Sequence, residues 1–329
     1  MHETLRQIVE RIAAAGRLLV LTHARPDGDA VGSMWALAAS ARAAGREAAT
    51  LVPDDVPGRY EFLLRGDRPA GAADFAALAD EADLVVVVDT CAFAQLDGLE
   101  SALRARREKT VVLDHHATAD DIGAVRWIDA SAAAAGVMVG EVIEALGWPL
   151  PPGAAEALLV AITTDTGWFR FANTDGRALR AAARLLETPI CADELYARLY
   201  QADRPERLQL LRRALDSVAF HHDGRIATMT LRRPDFASAG ARLDETENFV
   251  NEPLRVGRVE VSILLVENPD CTRVSLRSRG RVDVSQIAGL LGGGGHARAA
   301  GLRSADDVES VRRHLLAACA EAMPGEAAP

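Results

Sequence analysis

Short apolar runs alternate with longer amphipathic stretches over the first half of the chain. Arg17-Leu18-Leu19-Val20-Leu21-Thr22 reads as a buried strand, and Asp29 to Ala44 as a helix that stops at Gly45. Glu47 to Val52 is a second strand, closed by Pro53-Asp54-Asp55-Val56-Pro57-Gly58, and Asp74 to Ala82 is helical. Leu84-Val85-Val86-Val87-Val88 is a β-branched run of the kind found in central parallel strands, and Thr110-Val111-Val112-Leu113 is another. Strands separated by helices predict an open, mostly parallel α/β sheet.

From Ser131 to Val218 the period becomes helical. The segments are Ser131–Leu146, Gly153–Thr164, Asp175–Leu186, Ala192–Tyr200 and Pro205–Val218, with Pro149-Leu150-Pro151-Pro152 as a turn between the first two. The domain boundary falls near Ala202–Glu206, which gives domains 1–203 and 204–329, with a helical linker running to about 218. In the second, Arg225–Leu231 is a strand after an Asp223-Gly224 turn, and Val259–Glu267 with Cys271–Arg279 forms a hairpin around Asn268-Pro269-Asp270. A glycine cluster, Gly292–Gly295, follows, then a last helix, Ala305–Met323, and a frayed tail, Pro324–Pro329. No internal repeat is visible.

Composition narrows the class. The 329 residues are 49% hydrophobic and 26% charged, an ordinary globular balance rather than a disordered one. No apolar run reaches the length of a membrane span, and the start Met1-His2-Glu3-Thr4-Leu5-Arg6 lacks a secretory pattern, so neither membrane nor secretion is expected. Cys91, Cys191, Cys271 and Cys319 stand far apart, against a disulfide framework or zinc ribbon and in favour of a reducing cytoplasm. The net charge of −10 is confined to the first 205 residues, with 20 basic against 30 acidic; the remainder balances 17 Arg with 17 acids. That total argues against a duplex-binding protein, which needs a broad basic face.

The informative positions follow the strands. His23-Ala24-Arg25-Pro26-Asp27-Gly28-Asp29 comes after the first, Asp89-Thr90 after the valine run, and Asp114-His115-His116 after the next; Thr163-Thr164-Asp165-Thr166-Gly167 lies in the helical region. Ligands of open α/β sheets bind beyond the carboxyl ends of strands. Imidazoles and carboxylates converging there, without thiolate, suit Mn2+ or Fe2+ best and Mg2+ or Co2+ next. Five or six ligands point to two ions about 3.5–4 Å apart with a bridging carboxylate. Singly, each residue has a plainer use: Asp89 as a turn or cap residue, Asp27-Gly28-Asp29 as a tight turn with an N-cap, and His115-His116 as surface. The pair His221-His222, without acid partners, reads as the rim of a hairpin.

Joint order and spacing carry more than any member. The chain resembles the DHH phosphoesterase superfamily in its DHHA1-bearing branch, near the bacterial nanoRNases and 3′-phosphoadenosine 5′-phosphate (pAp) phosphatases. The motifs are His23 to Ser33, Val86 to Thr90, Asp114-His115-His116, Thr164-Asp165-Thr166-Gly167, and Gly292 to Gly301 preceded by Ser275-Leu276-Arg277-Ser278. They span residues 17 to 301. The resemblance implies an N-terminal DHH domain and a smaller C-terminal α/β DHHA1 domain. It implies one metal on His23, Asp27 and Asp89, and a second on Asp29, Asp89, His115 and Asp165, with Asp89 bridging. Asp114 is then expected to orient a ligand histidine or the metal water, and His116 to face the substrate phosphate. Arg277, Ser278, His296 and the backbone of Gly293, Gly294 and Gly295 are expected to hold the substrate, with Asn248 in a substrate-lining segment.

The implied activity is a Mn2+-dependent phosphodiesterase and phosphatase in a homodimer. It would act on short RNA, pAp, or cyclic or linear dinucleotides, through hydroxide generated between two ions. Arg277 can grip a phosphate bidentately, and six Arg against Glu260, Glu267 and Asp270 between Arg255 and Arg281 suit a short nucleotide. A family II inorganic pyrophosphatase shares the metal motifs but not the Gly292–His296 run. A RecJ-type exonuclease would want a longer chain. A nucleotide sensor without catalysis is disfavoured by intact ligands at every metal position.

Overall fold

The structure is a computed structural model that describes residues 3–116, 119–279 and 282–323, with the backbone alone of His296. Arg281 and the tail 324–329 lie outside the described residues. The chain forms two compact units, Met1–Ala202 and Asp203–Pro329.

Unit 1 opens with α1 (Glu3–Ala14), β1 (Arg17–Leu21), α2 (Gly28–Ala43) and β2 (Glu47–Leu51). It continues with α3 (Phe75–Glu81), β3 (Leu84–Val88), α4 (Glu100–Ala105), β4 (Thr110–Asp114) and β5 (Val125–Ile128). It ends with α5 (Ala135–Leu146), α6 (Pro152–Asp165), α7 (Gly176–Leu186) and α8 (Ala192–Tyr200). The five strands are all parallel in the order β2-β1-β3-β4-β5. Alternate residues feed two cores, as the pleat requires. Leu18, Val20, Val86, Val88, Val111 and Leu113 meet α1, α2, α5 and α6, while Leu19, Leu21, Val85, Val87 and Val112 meet α3 and α4. Burial on both faces explains why β3 is an unbroken Leu-Val-Val-Val-Val run.

From β1 the chain winds outward to β2, then returns to the other side of β1 for β3. The carboxyl ends of β1 and β3 therefore flank the point where strand order reverses, the place where such sheets open a crevice. Thr22 fastens these ends together, its buried hydroxyl donating to the Val88 carbonyl at 3.0 Å.

Unit 2 contains α9 (Pro205–Asp216), β6 (Ala219–His221), β7 (Ile226–Leu231), α10 (Arg233–Ala239), β8 (Val261–Glu267) and β9 (Thr272–Ser278). It closes with α11 (Val284–Gly289), β10 (Gly294–His296), β11 (Ala299–Ser304) and α12 (Val308–Ala322). Its sheet runs β10-β11-β9-β8-β7-β6, with β7 and β8 parallel and the other pairs antiparallel. The hairpin between β8 and β9 forms where expected. His221 lies in β6 beside a turn, and its Nε2 is 2.9 Å from Thr228 Oγ1 across the hairpin, in keeping with a rim position.

Several elements carry no forecast, α1, β5, α4, α10, α11, β10 and β11 among them. The helix expected from Ser131 begins only at Ala135, because its first N–H groups are capped from another helix, as described next.

Candidate metal centre

Asp89 is the hub of the cluster. It follows β3 with φ +61°, a left-handed conformation that Asp tolerates better than most residues, and its N–H donates to Leu113 O at 2.9 Å. Its residue is 2% exposed. Oδ2 faces His23 Nε2 at 3.4 Å, and Oδ1 faces His115 Nε2 at 3.5 Å and His116 Nδ1 at 3.9 Å. The two oxygens of one carboxylate thus address opposite sides of the site.

Three sets of ligand atoms lie within 4.8 Å of one another: His23, Asp27 and Asp89; Asp29, His115 and Asp165; and Asp89, His115 and His116. His115 Nε2 is also 3.7 Å from Asp29 Oδ2 and 3.3 Å from Asp165 Oδ2. All six residues expected to hold metal are therefore brought together. Asp27 and Asp29 come from the start of α2 and Asp165 from the end of α6; the rest follow strands.

Local structure fixes these side chains. Asp27 caps α2, its Oδ1 accepting from the N–H groups of Asp29 at 3.0 Å and Ala30 at 3.1 Å. Asp29, 1% exposed, accepts from Ala135 N–H at 2.6 Å, Gly136 N–H at 2.8 Å and the Ser33 hydroxyl at 3.0 Å. It supplies α5 with the cap its own sequence lacks, and places a carboxylate at the positive end of that helix. The run of alanines before Gly136 gave no sign of this.

Asp114 sits differently from its neighbours. Its Oδ1 lies 2.7 Å from His116 Nδ1 and accepts from the His116 N–H at 3.2 Å. It therefore orients His116, the histidine expected to face phosphate.

The protonation pattern is that of a site built for cations. Burial first, then Asp89, raises Asp29 to about 8. Burial and Asp29 push Asp165 well above the carboxylate range, and burial with Asp89 raises Asp27. Asp27 is exposed as a residue, but its carboxylate lies among the candidate ligand atoms. Burial opposes protonation of His23 and His115, yet the facing carboxylates outweigh it and raise them to about 9 and about 11. Burial also works against ionised Asp89, but the imidazoles of His115 and His23 prevail and lower its pKa. Carboxylates and imidazoles crowded this closely form a set that added positive charge would stabilise. Asp89 Oδ1 and Asp114 Oδ2 are buried without a hydrogen-bond partner, a further mark of a set of donors arranged for another atom. Imidazole nitrogen and carboxylate oxygen without sulfur fit Mn2+ and its neighbours.

In unit 2, Arg277 lies in β9 on the face opposite the core formed with α11 and α12, and pairs in register with Ser262 and Ala299. Its Nη1 donates to Leu276 O at 3.0 Å. Burial lowers its pKa, and nearby Glu247 opposes that shift. Asn248, next to Glu247, is exposed with φ +65° and accepts from Asn251 Nδ2 at 3.1 Å. Ser278 is buried at the end of β9. The backbone of His296 pairs with Ala299, in the same row as Arg277. The glycines divide. A Cβ at Gly293 would stand 2.4 Å from Gly301 O, and one at Gly295 2.5 Å from Ala299 O, so both serve close strand packing. Gly294 has nothing within 4 Å and alone of the three faces open space.

With this geometry in place, similarity to known proteins is informative. Residues 17–162 match the DHH family, N-terminal domain, and residues 224–323 match the DHHA1 domain. The chain is 35% identical over 308 residues to the bifunctional oligoribonuclease and PAP phosphatase NrnA of Thermus thermophilus, covering 91% of this chain and 88% of that protein. It is 27% identical over 327 residues to the protein of the same name from Bacillus subtilis, covering 96% and 98%. An exopolyphosphatase-related protein from Bacteroides fragilis shares the fold with a TM-score of 0.91 at 22% identity, over 97% of this chain and 96% of that one. The chain belongs to the DHH family and carries its DHHA1 domain.

Proposed function

We propose that the protein is a metal-dependent phosphoester hydrolase that cuts very short oligoribonucleotides and removes a phosphate from pAp. The observation that carries this reading is Asp89, whose two oxygens face His23 on one side and His115 and His116 on the other. The Thermus thermophilus and Bacillus subtilis relatives bear the name bifunctional oligoribonuclease and PAP phosphatase, and the match covers 88% and 98% of their lengths. The pyrophosphatase alternative loses ground because residues 224–323 match DHHA1.

Two cations per chain, Mn2+ foremost and Mg2+, Co2+ or Fe2+ as substitutes, would be held by His23, Asp27 and Asp89 and by Asp29, Asp89, His115 and Asp165. When bound they supply Lewis acidity toward a phosphoryl oxygen and toward water. The protein's own groups then divide the work. Asp89 keeps the two sets in register. Asp114 commits Nδ1 of His116, so protonated His116 addresses a phosphoryl oxygen through Nε2. Burial works against that protonation, but Asp114 and Asp89 outweigh it and raise the pKa of His116. Arg277, Ser278, His296, Asn248 and the open backbone at Gly294 bind the rest of the nucleotide. The net charge of −10 and the acidic first half favour single strands over duplex. Four free cysteines fit a cytoplasmic protein, and no described helix is long and apolar enough to cross a membrane. A homodimer is the proposed assembly.

A substrate panel with purified protein and Mn2+ tests the reading: pAp, single-stranded and duplex RNA of two to about twenty nucleotides, cyclic dinucleotides and pyrophosphate. The expected result is rapid release of mononucleotides from the shortest RNAs and of phosphate from pAp. Turnover of pyrophosphate alone would overturn it.

A further inference from the structure

Just beyond Asp165 the chain makes an uncommon turn. Gly167, Trp168 and Phe169 have φ of +55°, +57° and +63° in succession. For bulky side chains that region is an outlier, kept only where surroundings over-determine it. Here they do. The Thr166 carbonyl accepts from the N–H groups of Arg170 at 3.0 Å and Phe171 at 2.9 Å, and Arg170 Nε donates to Gly167 O at 2.8 Å. Asn173 Nδ2 donates to Asp165 O at 3.1 Å and Ala133 O at 3.0 Å, which ties the far end of the turn back to the metal centre. Trp168 stands edge-on to Tyr196 and Tyr200, with ring centroids 5.0 and 5.9 Å away.

The turn separates its aromatic residues. Trp168 and Phe169 pack against the core, whereas Phe171 is left 45% exposed. Its ring rests on bare backbone: a Cβ at Gly167 would stand 2.4–2.6 Å from three ring atoms. Gly167 suits this turn in two ways, by its left-handed φ and by leaving the space the ring occupies. Two Cα steps put Gly167 within about 7.6 Å of Asp165. A lone exposed aromatic means little. One held on a rigid, strained turn beside a metal-ligand carboxylate has the form of a stacking surface.

We infer that Phe171 is a platform on which a nucleobase of the substrate stacks while its phosphate lies at the metal centre. The inference rests on the nucleotide reading given above. Stacking suits an enzyme of short RNA, because every base has a π-face and the contact tolerates sequence. It also gives a fragment of two or three nucleotides a second anchor beside its phosphates.

The test compares wild type, Phe171→Ala and Phe171→Trp on the diadenosine dinucleotide pApA and on its abasic counterpart, with Mn2+. In parallel, AMP affinity is measured by calorimetry, and metal content and oligomeric state are recorded. Phe171→Ala should raise KM for pApA by roughly 5- to 150-fold, the range for one stacked base. It should weaken AMP by a similar factor, leave kcat and bound metal unchanged, and not alter kinetics on the abasic compound. Phe171→Trp should restore affinity. Equal losses on both substrates, or unchanged AMP affinity, would overturn the inference. A change of oligomeric state with AMP affinity intact would do so too, by assigning the ring to a contact between chains. Because AMP binding needs no turnover, it judges Phe171 even if the wild-type enzyme prefers another phosphoester, an outcome that would count against the proposed substrate instead.

Discussion

Gly32→Ala adds a single methyl group where α2 crosses α6, and its consequences can be worked out in advance. A Cβ at residue 32 would stand 2.4 Å from the Ala157 carbonyl oxygen, 3.0 Å from Ala161 Cβ and 3.1 Å from Ala161 N. Two of these are backbone atoms that cannot rotate aside. Ordinary contact needs about 3.5 Å, so the helices must part by roughly 1 Å. Overpacking of this kind costs about 1–3 kcal/mol. In a unit of this size that lowers Tm by roughly 2–12 °C. The diagnostic effect is at the site. Asp29 lies in the first turn of α2 three residues before Gly32, and Asp165 closes α6 four residues after Ala161. Their distances to His115 Nε2, 3.7 and 3.3 Å, depend on that crossing.

The variant should therefore weaken the ion proposed for Asp29, His115 and Asp165 more than the one proposed for His23, Asp27 and Asp89, because only the first set draws ligands from both helices. Metal analysis after dialysis should give about one Mn2+ per chain against two in wild type, and activity should drop on the order of 100-fold. Gly140→Ala is the control on α5. Its Cβ would meet only Leu158 Cδ1 at 3.6 Å, so helix propensity alone acts and stabilises by about 0.5–1 kcal/mol, with both ions retained. A Gly32→Ala protein with wild-type Tm and two ions would refute the argument that helix crossing positions Asp165.

Other outcomes follow from the same geometry. Asp89→Ala should deplete both ions and abolish turnover, whereas His23→Ala should spare the ion on the Asp29 side; full occupancy in Asp89→Ala, measured by elemental analysis, would remove Asp89 from its central place. His115→Ala should lower metal content, while His116→Ala should lower kcat with metal bound; equal depletion by both would show the two roles to be misassigned. Arg177 spans Glu141 at 2.6 Å and Asp129 at 2.6 Å, so Arg177→Ala should cost about 1.5–3 kcal/mol in urea unfolding at neutral pH. Burial works against ionised Asp129, but Ser131 and Arg177 outweigh it and lower its pKa. Its stabilisation is present above the unfolded value of about 3.9 and is lost as pH falls through the lower folded value. The gap between wild type and Arg177→Ala should accordingly narrow below about pH 4, and a gap that widened in acid would contradict the pairing.

What could be read from the sequence was what chemistry writes into residue type at fixed places. His23, Asp89 and Asp114-His115-His116 follow apolar runs, and a parallel sheet delivers such residues to one edge wherever its helices lie. β5 escaped because it has four residues with Arg126 and Ile128 half-exposed, so neither an apolar run nor clean alternation marks it. α1 has an apolar face in Ile8 and Ile12 but precedes the first strand, outside the strand–helix alternation that marks the sheet. Phe171 escaped because nothing in its neighbours announces three left-handed residues in a row.

The deeper limit concerns residues with two uses. Asp27 is legible both as a helix cap and as a candidate metal ligand, and its geometry suits both: Oδ1 takes two N–H groups of α2 while the carboxylate stays among the candidate ligand atoms. Asp29 does the same for α5, across more than a hundred residues of sequence. Capping and ligation want the same thing, a carboxylate held rigidly with one side toward N–H donors and the other toward positive charge. One residue can therefore satisfy the fold and the site together. The donors that anchor Asp29 also keep it from swinging out of the cluster, where burial and Asp89 disfavour its charge. Helix α5 thus begins at Ala135 because a carboxylate of the site is there to cap it, and Asp29 stays buried because α5 holds it. Neither fact is visible in either segment alone, since each sequence lacks half of the interaction.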